Sequence, residues 1–97
     1  MYIQIFPEPE LKDLDLIELV EWFRVGLQLG IKEFELVNIE RDYQQLKDRK
    51  IRMFSAWLRT CDNPNYHDLV KALEAVGEEK AARQVRYTFM KHKPLIM

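Results

Sequence analysis

One cysteine in the whole chain, Cys61, excludes an intrachain disulfide and fits a reducing compartment. The three glycines, Gly26, Gly30 and Gly77, are too scattered to form a phosphate-cradling loop. The two histidines, His67 and His92, stand 25 positions apart, so beside a lone cysteine they offer no zinc-ligand spacing. No apolar run approaches the roughly 20 residues of a membrane span. The opening MYIQIFPEPE lacks the basic start and apolar block of a secretory signal. The expectation is a soluble cytoplasmic protein or fragment with no cofactor, no metal and no membrane span.

Catalytic groupings are equally scarce. Cys61 has Arg59 near it in sequence but no histidine at a telling spacing, and reads as a core or boundary cysteine. Ser55 lacks a nucleophile-elbow context. Glu33 and Glu35 fall on different faces of a helix and share no site. We expect no catalytic residue and no small-molecule substrate; the chain is read as a non-enzyme.

What is present is helical patterning and segregated charge. Ninety-seven residues make one domain. Residues 1–42 hold ten acids against four bases, net −6, while residues 43–97 hold eleven bases against six acids, net +5. Such a chain can place unlike patches on opposite sides of one domain and favour head-to-tail association.

Pro7 and Pro9 disfavour helix before them, so residues 1–9 read as an extended lead-in. A bundle follows over 10–93 and a short tail over 94–97. From Leu11 to Leu27 the apolar stripe is too wide for one surface helix, which predicts two helices with a break near residues 19–21. Gly30 is placed to cap the second. A third helix near 32–41 carries Phe34, Leu36, Val37 and Ile39 over its inner side. The fourth, near 44–61, sets Leu46, Met53, Phe54, Trp57 and Cys61 on one broad face, with Lys47, Arg49, Lys50, Arg52 and Arg59 largely around the rest. After the loop at Asp62–Asn63–Pro64, Asn65 is a plausible N-cap. The fifth helix then repeats Tyr66, Leu69, Val70, Leu73 and Val76 at helical spacing until Gly77. The sixth starts at Glu78 and Glu79, faces Ala82, Val85 and Phe89 inward, and stops at Pro94. The chain therefore reads as all-α, a six-helix antiparallel bundle. Its expected core includes Trp22, Phe23, Leu27, Val37, Phe54, Trp57, Leu69, Leu73 and Val85.

The order of these residues resembles the death-domain family over about residues 11–90. Trp22 stands in the second helix, and Leu29–Gly30–Ile31 precedes the third. That helix is the acidic-apolar Glu35–Leu36–Val37–Asn38–Ile39–Glu40. Met53 and Trp57–Leu58 match the fourth helix, and Asp68 to Gly77 matches the family's segment after the loop. One departure is the unbroken run from Leu14 to Trp22, where relatives have a clear loop.

The resemblance implies a Greek-key arrangement of the helices. It also implies homotypic or heterotypic assembly with other death domains in apoptotic or innate-immune signalling, as adaptors and oligomers. An acidic surface (Glu18, Glu21, Glu33, Glu35, Glu40, Asp42) would meet a basic one (Lys47, Arg49, Lys50, Arg52, Arg59). The loop between helices four and five would meet the start of helix six, which implicates Asp62, Asn63, Asn65, Glu78, Glu79 and Arg83. Two readings of other classes stand beside this one. One is a nucleic-acid-binding domain using basic helices four and six; the other is a purely structural helical domain of a larger protein.

Overall fold

The computed structural model describes residues 8–90. Most of the expected lead-in, the residues Lys91, His92 and Lys93, and the tail at 94–97 lie outside the described residues. Six α-helices follow one another: α1 (Leu11–Leu14), α2 (Trp22–Gln28), α3 (Glu33–Asp42), α4 (Leu46–Thr60), α5 (Tyr66–Ala75) and α6 (Glu79–Val85). A single π-helical turn, Arg86–Met90, continues α6. Among the described residues there is no strand, and no helix is long and apolar enough to cross a membrane.

Helix α4 is the central member, packing against α1, α2 and α3, while α5 packs on α2 and α6. Its inner stripe is Lys50, Met53, Phe54 and Trp57, at i, i+3, i+4 and i+7. Both indoles are inside: Trp22 is 5% and Trp57 1% exposed. Phe54 and Trp57 tilt against each other with ring centroids 6.4 Å apart. Leu14, Ile17, Val25, Leu36, Leu69, Leu73 and Val85 complete the fully buried set with Met53 and Tyr66. Gly26 lets three helices close on one point, because a Cβ there would lie 2.7 Å from Leu36 Cδ2 and 3.0 Å from Met53 Cγ.

Both expected glycine stops have the same geometry. Gly30 takes φ 91°; its N–H bonds the Leu27 carbonyl, and the Ile31 N–H reaches back to Gly26. Gly77 takes φ 83° and repeats the pattern through Glu74 and Leu73. These paired bonds satisfy carbonyls that a helix end otherwise leaves open. At the other end of α5, the Asn65 side chain accepts the Asp68 N–H at 2.8 Å, capping the helix.

Four expectations need correction. The first break falls earlier than residues 19–21: α1 ends at Leu14, and residues 15–21 form a non-helical connector. On α3 only Leu36 and Ile39 face inward, whereas Phe34 is 66% and Val37 44% exposed. Leu36 and Ile39 are three residues apart on one side, so the side through 34 and 37 must turn to solvent. Leu27 and Leu46 are also exposed rather than core, and Phe23 is half-buried, edge-on to Trp22. The sixth α-helix is shorter than expected. At its end the π turn carries Phe89, half-buried, flat onto the Tyr66 ring at 4.9 Å.

Burial of Tyr66, and secondarily the negative charge of Asp13, raise its phenol above the ordinary value of 10.0. The folded chain therefore keeps a proton that the unfolded chain gives up. Stability is intact below pH ~10 and falls as pH rises through that value. Thermal melts are expected to drop above that pH, and to drop less in Tyr66→Phe. Equal slopes in the two proteins would assign the alkaline loss to other groups.

Candidate docking surfaces

The basic residues of α4 divide into those held inside the domain and those left outside. Lys50 lies on the buried stripe, only 8% exposed. Its ammonium donates to the carbonyls of Asp15 at 2.8 Å and Ile17 at 2.9 Å, with the Asp15 carboxylate 4.0 Å away. It fastens the connector and is removed from the expected basic patch, because a buried ammonium with two carbonyl partners is not offered to another molecule. Arg49 reaches across the end of α3 and donates to the carbonyls of Glu40 and Tyr43. A cation suits that position, where the helix leaves its last carbonyls open. Arg59 pairs with Glu35. Arg52 stays exposed, its guanidinium 4.7 Å above the Tyr43 ring, and Lys47 is exposed at the first turn.

The acidic residues also divide. Glu18, Glu21, Glu33, Glu40 and Asp42 are exposed, with Asp42 beside Arg41 at 3.2 Å, while Glu35 is half-buried against Arg59. Because α3 packs directly on α4, part of the acidic and basic sets meets within the molecule rather than on opposite sides. Glu18 and Lys47 even line the same groove.

At the remaining expected surface, Asp62, Asn63, Glu79 and Arg83 are exposed, but Asn65 is occupied in capping α5. Glu78 is also committed internally. Its carboxylate accepts the backbone N–H groups of Val20 at 2.7 Å and Glu21 at 2.6 Å, where the connector enters α2. Gln84 donates from α6 to the Leu16 carbonyl at 3.0 Å. Three side chains, one from α4 and two from α6 and its N-cap, thus satisfy carbonyls 15, 16 and 17 and amides 20 and 21. The unbroken apolar run leaves the helix there because these partners hold its backbone open. Sequence reasoning missed Gln84 entirely. It also missed the exposed apolar side chains Leu16 and Val20, having counted both in one stripe.

Among the described residues no three His, Cys, Asp or Glu side chains gather as a metal site. Cys61 is half-buried at the end of α4, and His67 and Asp68 are both exposed at the start of α5. The described residues therefore present outer walls: charged side chains on α3 and α4, a corner between α5 and α6, and a connector with apolar side chains in solvent.

Six short helices pack around two buried indoles, and charged side chains of both signs cover the outside. The chain belongs to the death-domain family: the family's model matches residues 12–89. No curated protein and no solved structure matches it significantly.

Proposed function

We propose that this domain is a non-enzymatic assembly module that binds other death domains, its own copies included, in apoptotic or innate-immune signalling in the cytoplasm. The observation that supports this reading best is the pair of bases left outside on α4. Lys47 is exposed, and Arg52 is held in place by the Tyr43 ring while its charge faces solvent. Glu33, Glu40 and Asp42 are exposed on α3 with the opposite sign. An acidic α3 face of one domain meeting these bases on the next uses different surfaces on the two partners, so the contact does not close on a two-fold axis and can propagate.

A single exposed pair contributes only about 0.2–1 kcal/mol, so several must act together and salt must weaken them. Reversing Lys47 and Arg52 together to glutamate is expected to abolish assembly in sedimentation velocity at low salt. The thermal midpoint should stay nearly unchanged, because neither side chain is buried. Normal assembly by the double variant would remove these two residues from the interface.

A further inference from the structure

The outer face of α6 takes no part in the α3–α4 contact proposed above. The inner face of this helix is small and buried, through Ala81, Ala82 and Val85. Outward it carries Lys80, Arg83 and Gln84 at i, i+3 and i+4, and the π turn adds Arg86 and Tyr87. These five side chains line one shallow hollow of about 520 Å³. Tyr87 is 74% exposed. Leu16, 60% exposed, stands at the edge, because Gln84 donates to its carbonyl. Two acids of this corner are engaged: Glu74 pairs with Arg86, and Glu78 accepts the amides of Val20 and Glu21. Among the described residues Lys80 and Arg83 have no carboxylate within ion-pair reach. The same sign continues in the sequence. Residues 80–97 hold five bases (Lys80, Arg83, Arg86, Lys91 and Lys93) and no acid.

We propose that this wall docks the domain reversibly on the surface of an anionic phospholipid bilayer. Charge complementarity calls for a partner rich in phosphate or carboxylate. The apolar neighbours select the bilayer among such partners. An aromatic ring beside bases suits the headgroup level, where its face meets apolar chains and its hydroxyl meets water. Lys80 and Arg83 can lay their stems along that boundary and keep their charges in the headgroup layer. Leu16 adds an aliphatic side chain that gains from acyl chains. A nucleic-acid backbone would meet the same bases but offers nothing to Leu16. Among the described residues no helix is long and apolar enough to cross a membrane, so the contact proposed is with the surface alone. Each base beside an anionic leaflet raises partition about fivefold. A few bases with one ring therefore give weak binding that salt weakens further.

The test is co-sedimentation of the 97-residue chain with lipid vesicles at low salt. Binding is expected to phosphatidylcholine vesicles carrying about 30% phosphatidylserine, and not to phosphatidylcholine alone. Lys80→Gln together with Arg83→Gln should lower the partition about 25-fold. Tyr87→Ser should lower it about fivefold, since the ring enters the interface only in part. All three side chains are exposed, so the thermal melts of the variants should match the parent. The same neutralisation on α4, Lys47→Gln with Arg52→Gln, should lower partition far less than the α6 pair. An equal loss from the α4 pair would mean a general attraction of the domain's bases, and overturns the placement on α6. No binding to the anionic vesicles, equal binding to both kinds, or binding that survives the Lys80/Arg83 change also overturns the proposal. If mixed-sequence single-stranded DNA at equal phosphate concentration strips the domain from the vesicles, the wall belongs to nucleic acid and the bilayer falls.

Discussion

Replacing Trp57 with alanine is expected to remove about 3–5 kcal/mol of stability, a large share of the roughly 5–15 kcal/mol that holds a domain of this kind together. The indole is 1% exposed, tilts against Phe54, and lines one pocket with Leu29, just after α2, and Ala72 of α5. Removing it costs the transfer energy of the ring plus the cavity that the surrounding helices cannot fully close. The variant is expected to unfold at a much lower urea concentration with a similar slope. Trp57→Phe should recover part of the loss, since it restores an aromatic ring of smaller volume. A loss below about 1 kcal/mol for the alanine variant would mean that the site collapses freely, and that the core is not organised around this ring.

Lys50→Ala is expected to cost about 3 kcal/mol, for a different reason. Hydrogen bonds from charged groups contribute roughly 1.5–3 kcal/mol each, and this ammonium makes two, to the carbonyls of Asp15 and Ile17. Without it, both acceptors lose their partner at the point where the chain leaves α1. The effect should appear in equilibrium urea unfolding, and locally as faster amide exchange through residues 15–21 than through the interior of α4. Lys50→Met separates the stem from the charge: it keeps the apolar packing and loses the bonds. If Lys50→Met proved as stable as the parent, the two carbonyls would not need the ammonium, and Lys50 would not be what fastens the connector.

These two residues also mark how far the sequence could be read. Trp57 was legible because it stands at helical spacing from Met53 and Phe54, where period and residue type agree. Gly30, Gly77 and Asn65 were legible because each satisfies open helix ends through bonds to residues only a few positions away. Lys50 was half legible. It lies four residues before Phe54 and seven before Trp57, on the buried stripe, yet its charge grouped it with neighbours that face solvent. A base on an apolar stripe is the signal of a buried ammonium seeking carbonyls, and here it outranks the run of like charges around it.

The connector was not legible for a physical reason. Its conformation is set by Glu78 and Gln84, each more than fifty residues away in sequence, and no local residue breaks the helical pattern. The exposure of Phe34 and Val37 was hidden in a similar way. Four apolar residues between 34 and 39 leave two possible inner faces, and only packing against α4 selects the pair Leu36 and Ile39. The charge segregation was plain in the sequence, but contact between α3 and α4 brings Glu35 to Arg59 and so reduces the charge free for partners.

The carboxylate of Glu78 spans 58 positions to reach Val20, and the Gln84 amide spans 68 to reach Leu16. During synthesis from the N-terminus, the segment after α1 emerges from the ribosome long before either of those groups exists. A chain cut short at Val76 would hold Lys50 but would lack the Glu78 carboxylate and the Gln84 amide. Two of the three side chains that fix the connector therefore come from the last helix and its N-cap, at the far end of the domain's sequence.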